Sequence, residues 1–358
     1  MSDQSDDAAS GLSRRRFLRY LLGAGLFAYA APAAAKVLFQ SDVNRDGAVT
    51  AADAIRALQE SSGLIEKKRA YADEFIEKSY ANKLLILFED SANMSPPNPF
   101  APISEMIGFG KMSIQGISVH LEFDGLKILL DTTTDVSILK NNMRVAGIDP
   151  ASIDVLVLSH VHFDHMNAYK YLLSENPELA IFGPMTKDWM IQNQPNMLPL
   201  VDDDVLAGFE TVEDYEHIAP RTWLITTESL ESDCLPFCPV KETTLVIESD
   251  EGLILVTGDC HPSPMRIIDK AKQVTGTDRV YLLVGGTSLV WLSDYRIAWF
   301  AEQIASRGVQ KLAPCHTTGD VALRIFGDMW DNDLIRTVTD TVIDIPYLSG
   351  SLRRSLKG

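Results

Sequence analysis

The sequence predicts an α/β protein with one large domain behind a small N-terminal module. The chain has 358 residues, of which 46% are hydrophobic, so it can bury one large core and still leave a small module. An apolar run at residues 153–158 suits a buried strand, and a helical pattern follows it at residues 167–173. No repeat of solenoid period is visible, so a repeat architecture is not expected.

The net charge of the chain limits the kinds of partner that it is expected to bind. The formal net charge is −17, and an acidic balance argues against non-specific binding to nucleic acid or to an anionic membrane. We therefore expect a small-molecule substrate and no nucleic acid, and we interpret the charge as a source of solubility.

The first 35 residues have the pattern of a twin-arginine export signal. Residues 13–19 read S-R-R-R-F-L-R, an apolar stretch follows at residues 20–31, and three alanines come at residues 33–35. The apolar stretch is short and rich in alanine for a membrane span. We expect export to the periplasm or the outside of the cell without a stable membrane anchor; a retained anchor is the alternative.

Residues 42–53 read D-V-N-R-D-G-A-V-T-A-A-D, which has the oxygen spacing of an EF-hand calcium loop and resembles the dockerin type. Gly47 allows the sharp turn of such a loop. The predicted calcium ligands are Asp42, Asn44, Asp46, the carbonyl of Ala48, and Asp53. Thr50 with Asp53 also fits a helix cap, and both roles are compatible. We expect residues 36–65 to form a structural or docking module for a protein partner, and residues 66–82 to form a helical linker.

The most informative segment is residues 159–166, S-H-V-H-F-D-H-M, where a strand ends and a helix begins. On an extended segment His160 and His162 point the same way. Asp164 and His165 fall in the next turn and are directed at a second point nearby. Imidazoles and carboxylates are ligands of zinc, iron and manganese. The chain has only seven histidines, so three beside an Asp favour a metal site over a chance surface cluster.

The pattern H-x-H-x-D-H after an apolar strand resembles the metallo-β-lactamase superfamily. Residues 116–131 look like the opening strand pair of that family, which ends in an Asp, here Asp131. Residues 253–261 look like its later strand with a metal-bridging Asp, here Asp259, and residues 313–320 supply a late histidine, His316. The resemblance covers about residues 80–345. It implies a four-layer αββα sandwich over residues 83–358, preceded by the short EF-hand-like module.

Within the superfamily the chain is most similar to the 7,8-dihydropterin-6-methyl-4-(β-D-ribofuranosyl)aminobenzene-5′-phosphate synthase-like subgroup. Residues 258–262 (G-D-C-H-P), 285–289 (G-G-T-S-L) and 315–319 (C-H-T-T-G) carry that likeness. Asp259 stands where the subgroup usually has Cys, and Ser288 stands where it has His. The activity of the subgroup is therefore not carried over to this chain.

The resemblance implies a set of metal ligands: His160, His162, Asp164, His165, Asp259, His261 and His316. His261 fits either a ligand or a proton shuttle beside the metal, and the sequence leaves both roles open. His217 is the weaker candidate for the extra histidine. Asp164 and Asp131 are the catalytic candidates, Asp164 as ligand or proton acceptor and Asp131 by holding an imidazole or a water through hydrogen bonds.

Such a site implies one or two transition metal ions, with zinc expected first and iron or manganese as alternatives. A metal-activated water acts at neutral pH on an ester, lactone, amide or phosphoester, so a hydrolase is the first hypothesis. An oxidoreductase such as an iron dioxygenase is the second. A non-catalytic metal-binding protein is the third, and Ser288 in place of the subgroup His gives it weight.

The four cysteines all lie in the main domain. Cys234 and Cys238 flank L-P-F, and an oxidising compartment permits a disulfide between them, although two free thiols fit equally well. Cys260 and Cys315 each adjoin a predicted ligand, so both are expected near the metal.

Overall fold

The computed structural model describes residues 80–90, 116–193, 208–229 and 240–347, all within the unit Glu74–Gly358. The predicted export signal, the calcium loop with its five ligands, linker residues 66–79 and the pair Cys234 and Cys238 lie outside the described residues. Within the described ranges, no helix is long and apolar enough to cross a membrane.

The described residues form two β-sheets and flanking helices. The strands are β1 (Lys83–Phe88), β2 (Ser118–Phe123), β3 (Leu126–Leu130), β4 (Val155–Val157), β5 (Ala180–Gly183), β6 (Phe209–Thr211), β7 (Tyr215–Ala219), β8 (Thr222–Glu228), β9 (Lys241–Glu248), β10 (Leu253–Thr257), β11 (Val280–Gly285), β12 (Val309–Pro314) and β13 (Val342–Asp344). The α-helices are α1 (Val136–Ala146), α2 (Phe163–Met166), α3 (Tyr169–Glu175), α4 (Lys187–Asn193), α5 (Pro264–Thr275), α6 (Asp294–Ser306) and α7 (Asp320–Trp330).

Each sheet contains a run of parallel strands. The first sheet has the order β13-β1-β2-β3-β4-β5-β6, and β3 to β6 are parallel. The second has the order β12-β11-β10-β9-β8-β7, and β10 to β12 are parallel. Neighbouring parallel strands end at the same edge of a sheet. The segments that follow β3 and β4 therefore lie at one edge of the first sheet, and those that follow β10, β11 and β12 lie at one edge of the second.

Alternation along the strands produces four layers. In β1, Leu84 and Ile86 belong to the core between the two sheets, whereas Leu85 and Leu87 pack on the outer face with α1 and α3. A third apolar cluster packs α5, α6 and α7 on the outer face of the second sheet. The order helices, sheet, sheet, helices confirms the predicted α/β class with two sheets. The EF-hand-like module predicted in front of it lies outside the described residues.

Helix α1 illustrates how local sequence sets the boundaries of an element. Asp135 is its N-cap, and its side chain accepts a hydrogen bond from the backbone N–H of Ser137. Gly147 ends the helix in the left-handed conformation, with φ of 69°, which glycine adopts without steric cost. Between the caps, Leu139 and Met143 are fully buried against the first sheet. The helix thereby covers the strands that lead to the metal-ligand segment.

Residues 80–82, at the end of the predicted helical linker, are joined to the first sheet. The backbone N–H of Tyr80 donates to a carboxylate oxygen of Glu122 at 3.0 Å, and the Tyr80 hydroxyl donates to the carbonyl of Ala146 at 2.8 Å. Ala81 forms an isolated bridge with Glu122. These three residues of the predicted helical linker therefore contact the first sheet and are not helical.

His120, interpreted as structural from the sequence, faces the helix layer from β2. It is 1% exposed, and neither ring nitrogen has a hydrogen-bond partner within the described part of the chain. Burial first, and then the charge of Lys127, lower the pKa of His120 from 6.5 to about 4. The folded protein therefore keeps this imidazole neutral, and a buried imidazole without partners destabilises the fold.

His120→Leu is expected to reduce the acid sensitivity of the fold. Because the pKa is lower in the folded state, only the unfolded chain takes up a proton at His120 between pH 6.5 and 4, so the free energy of unfolding falls as the pH falls through this range. Between pH 7.5 and pH 5 the wild type should lose about 2 kcal/mol more than the variant. Urea unfolding at both pH values measures this difference. Equal losses would show that His120 is not held neutral.

Candidate metal centre

The candidate site lies where strands of both sheets end. Asp90 follows β1, Asp131 follows β3, and the segment 159–166 follows β4. Asp259 follows β10, and His316 follows β12. His316 and Asp90 join the two sheets directly, because the imidazole Nδ1 lies 2.6 Å from the carboxylate Oδ1. These five strand ends therefore converge on one region between the sheets.

The first cluster of donor atoms consists of His160, His162, Asp259 and His261, all buried. The four donor atoms lie within 4.8 Å of one another. His160 Nε2 and His162 Nδ1 are 2.9 Å apart. Asp259 Oδ2 lies 3.0 Å from His261 Nε2 and 3.7 Å from His160 Nε2. Three imidazoles and one carboxylate thus face a common point.

The second cluster consists of Asp164, His165 and His316. Nε2 of His165 and Nε2 of His316 are 3.2 Å apart, and Asp164 Oδ2 lies 3.9 Å and 3.6 Å from them. Asp259 connects the two clusters, because its Oδ1 lies 3.2 Å from His316 Nε2 while its Oδ2 faces the first cluster. The Asp259 carboxylate is thus placed to offer an oxygen to each cluster.

His261 tests whether these residues fit a metal. It is 1% exposed, and neither of its ring nitrogens has a hydrogen-bond partner within the described ranges. Nε2 of His261 lies 3.0 Å from Asp259 Oδ2 but without the angles of a hydrogen bond, so the two groups face a common point. A buried polar group without a partner costs about 1–3 kcal/mol, and a cation among the donors would remove that cost. Imidazole and carboxylate donors of this number fit a transition metal such as zinc.

Asp131 orients one histidine of each cluster through hydrogen bonds. Its Oδ2 accepts a hydrogen bond from His165 Nδ1 at 2.7 Å and another from the Ser159 hydroxyl at 2.7 Å. Because that hydroxyl donates to Asp131, its oxygen accepts from His160 Nδ1 at 2.9 Å. In each ring the Nδ1 is therefore the protonated nitrogen, and Nε2 is left for a metal. Asp131 is fully buried, which favours a positioning role over contact with a substrate.

The two clusters differ in their electrostatic surroundings. Burial first, and then the neighbouring imidazoles, hold the pKa of His160 and that of His162 well below 6.5. Burial also lowers the pKa of His316, but Asp90 and Asp259 outweigh it and raise that pKa to about 9. For His165 burial is outweighed by Asp131, so its pKa is well above 6.5. The second cluster is therefore an environment in which carboxylates stabilise positive charge.

The two carboxylates among the donors are also distinct. Burial would raise the pKa of Asp259, but His316 and His165 outweigh it and hold that pKa well below its usual range. Burial raises the pKa of Asp164. The Asp164 side chain is 16% exposed, the largest value among the seven predicted ligands, so it lies on the open side of the clusters. Asp259 is thus the internal carboxylate and Asp164 the accessible one.

The structure brings all seven predicted metal ligands together in the two clusters. His217, the weaker candidate, lies on β7 with its ring stacked on Trp223 at a centroid distance of 4.1 Å, outside both clusters. Ser288 fills the position of the subgroup His and donates from its hydroxyl to the carbonyl of Asp259 at 2.7 Å. Thr317 donates from its hydroxyl to Asp259 Oδ1 at 2.7 Å. Both hydroxyls therefore hold the bridging residue.

Two acidic residues of the site were missed by sequence reasoning. Asp90 contacts His316, and Glu242 on β9 contacts the backbone of residues 258–261. Both are buried, with 2% and 0% exposure. Each lies within or shortly after a strand, where burial of a carboxylate requires a partner, but other acidic residues of the chain occupy similar positions.

Comparison with known proteins agrees with this geometry. Residues 117–234 match the metallo-beta-lactamase superfamily. The crystal structure of Tm1679, a metal-dependent hydrolase of the beta-lactamase superfamily, is 21% identical; the match covers 74% of this chain and 99% of that one, with a TM-score of 0.55. The family model thus matches part of this chain, and the crystal structure shares its fold.

The chain is also similar to a protein of Methanocaldococcus jannaschii, 7,8-dihydropterin-6-methyl-4-(beta-D-ribofuranosyl)-aminobenzene-5'-phosphate synthase. The two are 27% identical over 263 residues, which are 63% of this chain and 87% of the relative. This distant likeness agrees with the subgroup resemblance in the sequence.

Proposed function

We propose that this chain is an exported metal-dependent hydrolase of the metallo-beta-lactamase superfamily, with an ester, lactone, amide or phosphoester as substrate. The observation that carries the proposal is the carboxylate of Asp259, whose two oxygens face the two donor clusters. A bridging carboxylate suits a pair of ions, and paired ions are used for displacement reactions at acyl and phosphoryl centres.

The metal in such a site supplies a nucleophile at neutral pH, because it lowers the pKa of water to about 7. The residues of the chain then have separate tasks. Asp131 fixes the rings of His165 and His160, the second of them through Ser159. Asp164 Oδ2, on the open side of the clusters, is placed to accept a proton from the nucleophile and return it to the leaving group.

Turnover on a panel of esters, lactones, amides and phosphoesters tests the proposal. We expect hydrolysis of at least one class, loss of that activity after chelation, and recovery on adding zinc or manganese. Oxygen consumption with iron and no hydrolysis would support the dioxygenase alternative instead. Metal binding without any turnover would support the non-catalytic alternative.

Replacing Arg14 and Arg15 with Lys is expected to leave the precursor in the cytoplasm. The twin-arginine route requires the arginine pair, which Lys does not replace even though it keeps the charge. Cell fractionation with immunoblotting measures the distribution. The change of Arg353 and Arg354, a pair near the other end of the chain, to Lys is the matched control and should leave export unchanged. Normal export of the Arg14 and Arg15 variant would contradict the export proposal.

A further inference from the structure

Glu242 is a buried carboxylate that binds four consecutive backbone N–H groups. Its Oε1 accepts from the N–H of residues 258, 259 and 260 at 3.1, 3.0 and 2.9 Å, and its Oε2 accepts from the N–H of His261 at 2.8 Å. Glu242 is 0% exposed, and no Lys or Arg pairs with it in the described part of the chain. Because all four contacts need an acceptor, both side-chain oxygens of Glu242 serve as acceptors for the amides of this loop.

The loop that Glu242 binds has a backbone shape that needs such a partner. Cys260 has a φ of 55°, in the left-handed region that non-glycine residues seldom occupy. Successive backbone N–H groups in a turn that contains a left-handed residue can point to the same side and form an anion-binding concavity. In this chain the anion is the side chain of Glu242, supplied by the neighbouring strand β9. The loop 258–261 is therefore held in this conformation by hydrogen bonds to a carboxyl group from within the protein.

The same loop carries half of the first cluster. Asp259 and His261 come from it, whereas His160 and His162 come from the segment after β4 in the other sheet. The second cluster depends on this loop only through the shared Asp259, since Asp164, His165 and His316 lie on other segments. Asp259 is also held by the hydroxyls of Thr317 and Ser288, so loss of the Glu242 contacts would chiefly displace His261 from the first cluster and leave the second cluster in place.

We propose that Glu242 is the positioning residue of the first metal subsite. It holds the loop 258–261 in the position that brings Asp259 and His261 close to His160 and His162. This inference rests on the proposed function, because it assumes that the first cluster binds a metal. It assigns to Glu242 a selective effect on one of the two subsites.

Glu242→Gln is the sharpest change, since it keeps the size of the side chain and removes the charge. The amide has one acceptor oxygen and one NH₂ group, and the NH₂ group cannot accept from a backbone N–H. If the oxygen keeps the three N–H groups of residues 258–260, the N–H of His261 faces another donor. In the flipped orientation the other three N–H groups lose their acceptor. Either arrangement releases part of the loop.

Zinc titration in a metal-buffered solution measures the affinity of each subsite. For Glu242→Gln we expect the first subsite to weaken about ten- to a hundredfold, as is typical when a residue that orients metal ligands is lost. The second subsite should weaken much less, because Thr317 and Ser288 still hold the shared Asp259 in this variant. The matched control is Thr244→Val, a buried position two residues along β9 whose hydroxyl has no partner among the described residues. It should bind zinc as the wild type does.

Two further backgrounds show which subsite changes. In His316→Ala the second cluster is damaged, so the remaining zinc reports on the first, and adding Glu242→Gln should weaken it by the full factor. In His261→Ala the first cluster is already damaged, so adding Glu242→Gln should have little further effect. Equal additional losses in both backgrounds would overturn the proposal, because Glu242 would then act on the fold as a whole.

The remaining outcomes separate this inference from the proposed function. If the wild type binds none of zinc, iron and manganese, the proposed function fails. If the wild type binds zinc and Glu242→Gln binds both equivalents with unchanged affinity, the inference alone fails. Circular dichroism checks that each variant folds. The second variant is Glu242→Asp, which keeps the carboxylate but is one methylene shorter. If neither variant folds, the role is structural and the proposal is overturned.

Discussion

Asp259→Ala is expected to remove metal from both subsites. The Asp259 carboxylate lies 3.0 Å from His261 Nε2 through one oxygen and 3.2 Å from His316 Nε2 through the other. The hydroxyl of Thr317 donates to this carboxylate and the hydroxyl of Ser288 donates to the backbone carbonyl of Asp259, and neither residue offers a carboxylate in its place. A site that loses a charged ligand shared by two ions should retain much less than one equivalent of zinc. Elemental analysis after dialysis measures the content.

The control for this change is Asp269→Ala. Asp269 lies on α5, which follows the loop 258–261, and forms a surface ion pair with Arg307 at 2.9 Å. Its side chain is 55% exposed, so its loss should cost little stability and no metal. If Asp259→Ala retained zinc as Asp269→Ala does, Asp259 would not be the bridging ligand.

Asp164→Asn is expected to reduce turnover far more than metal content. The second cluster keeps His165, His316 and the shared Asp259 in this variant, whereas the one accessible carboxylate is replaced by an amide that cannot take a proton. Loss of a positioned general base typically costs about a hundred- to ten-thousandfold in rate. Steady-state kinetics on the best substrate of the panel, together with elemental analysis, separate the two effects.

His217→Ala is the matched control for turnover, because that imidazole stacks on Trp223 away from both clusters. It should have the wild-type rate within experimental error. A proportional loss of metal and activity in Asp164→Asn would instead assign Asp164 as a ligand without a proton-transfer role. An essential His217 with a dispensable His261 would contradict the assignment of the extra histidine.

The sequence predicted the local part of the site well. His160, His162, Asp164 and His165 lie within six positions, and a strand followed by a helix brings them to two neighbouring points. The distant members, such as Asp259 and His316, were reached only through the resemblance to a family. Strand-end positions that are far apart in the chain carry no local signal of their proximity.

The carboxylates that support the ligands show where sequence reasoning stopped. Asp90 is 226 residues from its partner His316. Glu242 accepts from backbone N–H groups, which every residue type except proline carries, so the sequence does not reveal its partners. A buried charge in an apolar strand indicates that a partner exists without naming it. The export signal and the calcium loop remain predictions, since both lie outside the described residues.

The metal content of the reconstituted wild-type protein tests the central claim most directly. Purified protein is stripped with a chelator, incubated separately with zinc, iron and manganese, dialysed and measured by elemental analysis. The two donor clusters predict two equivalents of a transition metal per chain, with zinc retained most firmly. A protein that retains none of the three metals would contradict the claim that these clusters form a metal centre.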